Sequence, residues 1–404
     1  MMVLMAEKWD VVVAGGGTAG LAAARAASSE GGKVLLLEMQ AQIGGHTPSA
    51  SLVSVDLSRI LNKRALVTCL REINLHAPHG DLTIRYNGMN VVDRRWLDSL
   101  LAAEIAEKGG DIWLNAPVKG LLLKEGVVRG VHLGVGDWSE NIEGEVVVDA
   151  TGARGDLSCL FLREVLKSEW KRELMSFSNE YLMANAKDEK SADIFFDSYS
   201  APSGHAWVYP LGKGFALSGI NGLRIHPDAA LDEFLGRKEI KKLARAVPIT
   251  SSRGRLPLEG PLFQTCADGI IAVGGAAGQI YPPSGQDLQY SLRCGEIAGR
   301  VAIDAVTEGD VSKERLSEYD RFWRSIFGQE FEVGRLIHSS LSLSQDRKMD
   351  AIVLALRNKP SLQRAFVNVF NGFDLKSSTK NLLKDEQILK ILGGKTVDRL
   401  SKWR

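Results

Sequence analysis

Residues 11–20 read Val11-Val12-Val13-Ala14-Gly15-Gly16-Gly17-Thr18-Ala19-Gly20, and the rest of the 404-residue chain is placed relative to them. Four apolar residues in a row fit a strand buried on both faces. The glycines break that strand, and an alanine-rich helix follows from Ala19 to Ala27, ended by Gly31-Gly32. Lys33 to Glu38 then reads as a second strand, so residues 11–38 form one βαβ unit with parallel strands. Gly15-x-Gly17-x-x-Gly20 fits a dinucleotide fingerprint in the context that gives it meaning, after a strand and opening a helix. Gly15 permits the tight turn, Gly17 lets backbone approach a pyrophosphate, and Gly20 lets helix and strand pack closely. Thr18 and Ala19 begin the helix, whose unpaired N–H groups and partial positive charge attract a phosphate. Glu38 ends the second strand about 20 residues on, where a carboxylate accepts hydrogen bonds from a ribose diol and disfavours a 2′-phosphate. The plain alternative is a structural glycine turn with a surface glutamate.

A chain of 404 residues is long enough for two or three packed units. Hydrophobic residues make up 45% and charged residues 25%, which excludes wholesale disorder. The formal net charge of +1 gives no reason to expect a nucleic-acid partner. Cys69, Cys159, Cys266 and Cys294 are too scattered for a zinc or iron–sulfur site, so no metal is expected and the thiols read as reduced, in a cytoplasmic setting. No stretch approaches the ~20 apolar residues of a membrane span, and Met1 to Trp9 lacks a signal-peptide core.

A helix is expected from Arg94 to Lys108, with strands at Lys119–Leu123, Val127–Leu133 and Glu145–Asp149, the first two joined by the hairpin signal Glu125-Gly126. Residues 51–86 are mixed. Residues 160–260 carry amphipathic strands and many aromatics, and 310–404 look helical. A second strand-to-helix junction, Ile270-Ile271-Ala272-Val273-Gly274-Gly275-Ala276-Ala277-Gly278 followed by Pro282-Pro283-Ser284-Gly285, precedes a helix from about Gln286 to Ala305. A nicotinamide enzyme of this type would not need it. A flavin dinucleotide would, to hold its ribityl chain and pyrimidine edge, so the expected cofactor is FAD.

With these segments in place the chain resembles the geranylgeranyl reductases, flavoproteins of the p-hydroxybenzoate-hydroxylase fold group that saturate prenyl chains. The resemblance covers most of residues 8–350 and follows the family's order. After the fingerprint and Glu38 comes Val92-Asp93-Arg94-Arg95-Trp96-Leu97-Asp98, similar to the family's "DRxxFD", which implies that Arg94 reaches the cofactor. Gly204-His205-Ala206-Trp207-Val208-Tyr209-Pro210 is similar to "YxWxFP", the signature lining the isoprenoid cavity, with His205 in place of tyrosine. Val273 to Leu288 is similar to "GDAAxxxxPxxGGGI". The chain departs from the family at Gly275, where an aspartate is usual, at Gly285-Gln286-Asp287 in place of three glycines, and at Ser49 in place of a cysteine. By position, Ser49, Ala50, Val118, Gly275, Gly285, Asp287 and Leu288 are implied to lie near FAD. A carboxylate at Asp287 opposes the negative charge of a reduced flavin, so Asp287 is expected to point away, to cap its helix, or to lower the reduction potential.

Trp207 and Tyr209 share one face of a strand. Spacing alone makes them core, and the resemblance makes them, with His205, the substrate wall. Asp149-Ala150-Thr151-Gly152 reads as a strand end near the cofactor. His46 and His205 read first as structural histidines, so no catalytic acid is assigned. The tail with Lys390, Lys395, Arg399, Lys402 and Arg404 reads as a solvated face, contact with anionic lipid headgroups at the membrane periphery being the second reading.

The expected fold is α/β: a Rossmann-like FAD-binding domain (1–55, 88–160 and 265–308), an inserted β-rich substrate domain (56–87 and 161–264) and a helical C-terminal region (309–404). The resemblance implies reduction of double bonds in a polyprenyl chain on a lipid or a prenyl diphosphate. A flavin monooxygenase of the same fold group, or a flavin-binding protein without turnover, stands as the alternative. The electron donor, whether NADPH, a ferredoxin or a quinol, has no motif.

Overall fold

The computed structural model describes residues 8–45, 50–54, 56–57, 61, 63–135, 138–153, 155 and 157–402. β1 (Trp9–Ala14) and β2 (Val34–Leu37) pair in parallel across α1 (Thr18–Ser29), with Val11 opposite Val34 and Ala14 opposite Leu37. β11 (Trp138–Asp149) pairs in parallel with the other edge of β1, and β18 (Ile270–Ala272) pairs in parallel beyond it. With β17 (Cys266–Ala267) and β8 (Asp111–Trp113), the order is β17-β18-β11-β1-β2-β8. β9 (Val118–Lys124) and β10 (Val127–Val135) extend β11 as an antiparallel hairpin. Its turn holds Glu125 at φ 52° and Gly126 at φ 83°, the two positive values a tight two-residue hairpin turn requires. That hairpin lengthens β11, which starts at Trp138 rather than at the expected Glu145.

Val11, Val12, Val13 and Ala14 are fully buried because both faces of this sheet are covered, Val11 and Val13 by helices and Val12 and Ala14 by the β9–β10 hairpin with Leu160, Phe161 and Leu162. α1 packs on α4 (Leu288–Glu308), where Gly295 and Gly299 let the helices approach closely, because a Cβ on them would stand 2.4 Å from Ala19 O and 2.1 Å from Ala23 O. α2 (Arg94–Glu107) lies against α1, and Asp93 caps it by accepting from Arg95 N at 3.0 Å and Trp96 N at 3.2 Å.

A second sheet has seven strands in the order β16-β12-β15-β14-β13-β5-β6. These are β5 (Glu72–Ala77), β6 (Gly80–Arg85), β12 (Met175–Ala184), β13 (Ser191–Phe195), β14 (His205–Gly212), β15 (Phe215–Leu223) and β16 (Val247–Pro257). Pairing is antiparallel except between β5 and β13. Alternation sorts its residues. Ala206, Val208, Ala216 and Ile220 pack on Leu231 and Phe234 of α3 (Pro227–Leu235), so His205, Trp207, Tyr209, Leu217 and Gly219 take the other face. A third, three-stranded sheet joins β3 (Ala50–Ser54), β7 (Met89–Asp93) and β4 (Leu66–Cys69), so residues 51–86, mixed in sequence, are largely strand.

The remainder is helical: α5 (Lys313–Ser342), α6 (Gln345–Leu356), α7 (Pro360–Asn371), α8 (Leu375–Leu382), α9 (Glu386–Leu392) and α10 (Gly394–Ser401). Among the described residues no helix is long and apolar enough to cross a membrane.

Candidate functional site

One cavity of about 700 Å³ runs from the β1–α1 turn to the face of the seven-stranded sheet turned away from α3. It is lined by Gly15, Gly17, Thr18, Ala19, Glu38, Arg94, Val118, His205, Trp207, Tyr209, Gly275, Gly285 and Asp287, so most of the residues singled out by sequence come together there. Gly20 and Leu288 do not line it. Leu288 is buried at the start of α4. Gly20 acts in packing: a Cβ there would stand 2.0 Å from Gly15 O and 3.0 Å from the Ala150 methyl. Ala50 begins β3. Ser49 and His46 fall outside the described residues, as does the end of the basic tail from Trp403.

At one end, Gly15 takes φ 112°, and its missing Cβ would clash with Ala150 O at 2.4 Å. Gly17 is the N-cap of α1, no side chain caps that helix, and nothing lies within 4 Å of where its Cβ would be. The first N–H groups of α1 therefore face open space, an arrangement suited to a diphosphate. Glu38 is fixed by two main-chain amides, accepting from Gly16 N at 2.7 Å and Gln40 N at 2.8 Å, and keeps lone pairs for a diol. Ala150, Thr151 and Gly152 also line the cavity. Buried Asp149 holds that loop by accepting from Thr151 N, from Thr151 Oγ1 and from Phe161 N at 2.8 Å, while burial raises its carboxyl's pKa.

Midway, buried Arg94 donates through Nη1 to Asp287 Oδ1 and through Nη2 to Thr18 Oγ1, both at 2.8 Å. Thr18 Oγ1 in turn donates to fully buried Asp98 at 2.7 Å. Burial works against the Arg94 charge, yet Asp287 and Asp98 outweigh it and hold the guanidinium above its ordinary pKa. Asp287 thus lines the cavity and pairs with Arg94. It makes no side-chain capping bond to α4, which corrects the expectation that it caps the helix. Its backbone φ of −128° and ψ of −21° begin the helix while its carboxylate is drawn across to the cation.

At the far end the wall is aromatic. Trp207 and Tyr209 stack with ring centres 6.1 Å apart, and His205 lies 5.5 Å from Trp207. Phe370 of α7 packs edge-on against His205 at 5.2 Å, so the C-terminal helices close this end. Burial, with His338 nearby, pushes His205 down to about 3, so the imidazole is neutral. Burial drives the Tyr209 phenol upward, and the charge of Glu180 adds to the shift.

Residues 10–161 match the family model described as FAD dependent oxidoreductase. Digeranylgeranylglycerophospholipid reductase 2 of Methanothermobacter thermautotrophicus is 31% identical over 367 residues, covering 87% of this chain and 92% of that protein. The protein of the same name from Methanopyrus kandleri is 31% identical over 382 residues, covering 88% and 92%. The chain belongs to the digeranylgeranylglycerophospholipid reductase family. The solved structure of a geranylgeranyl bacteriochlorophyll reductase-like protein from Thermoplasma acidophilum superposes with a TM-score of 0.83 at 22% identity, covering 98% of this chain and 99% of that one. The flavin-dependent brominase Bmp2 superposes at 0.70 with 14% identity over 91% and 94%. At such identities these likenesses show the fold alone.

This reductase-family chain is an FAD-dependent enzyme, and its cavity fits the cofactor. Besides the open α1 start and Glu38, Arg94 Nε and Ser284 Oγ are buried without a hydrogen-bond partner among the described residues, and both residues line the cavity. Such groups need a polar ligand to satisfy them. The family's aspartate position, Gly275, is crowded here, because a Cβ would come 3.3 Å from Gly152 Cα.

Sequence reading missed Ser178, Glu180, Asn221 and Ser252, which also line the cavity. They come from β12, β15 and β16, and no motif marks them. The one available signal is the polar run Ser178-Asn179-Glu180 within a strand, with Asn179 and Glu180 buried.

Proposed function

We infer that this enzyme saturates carbon–carbon double bonds in a polyprenyl chain borne by a glycerophospholipid. The observation that carries the reading is the junction, in one cavity, of a dinucleotide cradle and the wall of Trp207, Tyr209 and His205, in a chain 31% identical to named reductases of such lipids. In this reading the α1 amides with Gly15 and Gly17 hold the diphosphate, Glu38 holds the ribose, and Arg94, Gly275, Gly285 and Asp287 border the flavin. Bound FAD, once reduced, supplies a hydride. The chain's own part is to lay an apolar tail along the aromatic wall and exclude water, because an isolated alkene offers no polar handle. Neutral His205 adds a polar edge without a charge, and Phe370 behind it blocks the far end.

The test is anaerobic incubation of dithionite-reduced protein with digeranylgeranylglycerophospholipid, read by mass spectrometry. Mass gains in steps of two hydrogens are expected. A lipid recovered unchanged from stoichiometric reduced enzyme refutes the reading, and oxygen-dependent insertion of an oxygen atom would point to a monooxygenase instead.

A further inference from the structure

A main-chain N–H can donate and never accept, so it fixes the sense of any side-chain amide it meets. His205 N donates to Asn221 Oδ1 at 3.1 Å, which turns the NH2 end of Asn221 away from that bond. Asn221 on β15 stands opposite His205 of β14 and Ser178 of β12, and Ser178 stands opposite Gly254 of β16. This row lies on the face of the sheet that lines the cavity. In the neighbouring row Gly219 stands between Trp207 and Glu180, and the indole takes the room that a Cβ on Gly219 would need. Asn221 therefore sits directly beside the aromatic wall. Gly204 makes space for it, because a Cβ there would stand 2.1 Å from Asn221 O and 2.4 Å from Oδ1. Asn221 is only 6% exposed, and its Nδ2 has no hydrogen-bond partner among the described residues.

That unpartnered donor faces one place. Nδ2 lies 3.7 Å from where a Cβ on Gly285 would be, and Leu256 Cδ1 lies 3.0 Å from the same point. The turn 281–285, in which Gly285 N donates to Tyr281 O at 2.9 Å, thus meets the seven-stranded sheet at Asn221. Ser284 in the same turn keeps its Oγ buried without a partner among the described residues. Two unsatisfied polar groups, one from the sheet and one from the turn, line the cavity where these two parts meet. Leaving such groups buried and unpaired is costly, so they point to a polar ligand. A prenyl chain has no atom that accepts a hydrogen bond. A flavin does, in the carbonyl oxygens of its pyrimidine ring.

We propose that Asn221 donates from Nδ2 to a pyrimidine carbonyl of the flavin, so that the sheet carrying the prenyl wall also positions the ring and raises its reduction potential. The assignment rests on the placement of Gly285 beside the flavin in the reading above. Reduction adds negative charge to the pyrimidine ring, and a hydrogen bond donated to a charged acceptor is the stronger one. Asn221 thus favours the reduced form, the one that donates hydride. Because Oδ1 is tied to His205 N, the same side chain holds the ring at a fixed spacing from the wall.

The experiment compares FAD-loaded wild type, Asn221→Leu, Asn221→Asp and Asp287→Asn, without lipid. Anaerobic dye titration gives the potential, infrared spectra with FAD labelled at the two carbonyl carbons give their stretching bands, and calorimetry gives the melting temperature. A hydrogen bond to a charged group is worth about tenfold or more in an equilibrium. Asn221→Leu should therefore favour oxidised flavin by at least about tenfold, a fall of about 30 mV for a two-electron couple, and one carbonyl band should move to higher frequency. Asn221→Asp keeps an acceptor for His205 N and loses the donor, so it should show the same two changes, and it carries the comparison should Asn221→Leu fail to fold. Variants that melt lower with wild-type potential and bands make Asn221 a structural clasp and overturn the assignment alone, provided that Asp287→Asn shifts the potential. A raised potential in Asn221→Leu overturns it as well. Unchanged potentials in all three variants overturn the placement of Gly285 and Asp287 beside the flavin together with this assignment.

Discussion

Asp287→Asn isolates the one charge that this chain places where the resemblance implies glycine. The carboxylate lies 2.8 Å from Arg94 Nη1, with the two side chains 30% and 5% exposed. Asparagine keeps an oxygen that accepts from Arg94 and removes the charge. Two unit charges about 4 Å apart interact by about 4 kcal/mol at an effective dielectric of 20. Asp98 and Thr18 still hold the guanidinium, so the net stability loss should be nearer 1–2 kcal/mol than the ~3–5 kcal/mol of a fully broken buried pair. The cofactor feels the opposite sign. With Asp287 neutralised, the Arg94 charge is unmasked beside the proposed flavin edge and favours the reduced, anionic form. One charge at about 8 Å through an effective dielectric of 20–40 contributes roughly 1–2 kcal/mol. For a two-electron couple that raises the midpoint potential by about 20–45 mV. Dye-equilibrated anaerobic titration of both proteins measures it. An unchanged or lowered potential, with FAD stoichiometry intact, refutes the placement of Asp287 beside the flavin.

Gly17→Ala and Gly20→Ala should part company. The Gly17 methyl enters open space, so the fold keeps its melting temperature while FAD binds more weakly, whereas the Gly20 methyl meets Gly15 O and should destabilise the fold by about 1–3 kcal/mol. Calorimetry and fluorescence titration separate the two effects. Glu38→Gln should weaken FAD binding by about 10- to 150-fold, the equivalent of about 1.5–3 kcal/mol for hydrogen bonds to a charged group, and wild-type affinity would remove Glu38 from the sugar site. His205 and His338 titrate near 3 and 4 in the fold because both are buried. An unfolded histidine takes a proton near 6.5, so below that pH the unfolded state binds more protons and stability falls on acidification. Each contributes about 1.4 kcal/mol per pH unit until its folded value is reached. His205→Phe should therefore flatten the decline of the melting temperature between pH 6.5 and 5, and an equally steep decline in the variant would contradict the burial.

Wherever neighbours in the chain decide the structure, the sequence was readable. The run from Val11 to Glu38 specifies a buried strand, a glycine turn, a helix and a second strand through local sterics and periodicity, and the helix came out two residues longer at its C-terminus, at Ser29. Asp93 announces α2 because its side chain caps amides only two and three residues on. Glu125-Gly126 announces its hairpin for the same reason. The resemblance placed Arg94, Trp207 and Tyr209 in the cavity, since a motif carries its context with it.

Tertiary structure alone joined Asp287 to Arg94, 193 residues away, and turned an expected helix cap into an ion pair. It alone set Glu180 across Gly219 from Trp207, because strand order and register, not spacing along the chain, decide which side chains share a row. Local sterics and hydrophobic period act over a few residues and are written in the sequence itself. The polar groups of the cavity are selected by pairing between distant strands, where the preference of each strand says nothing about which partner it meets.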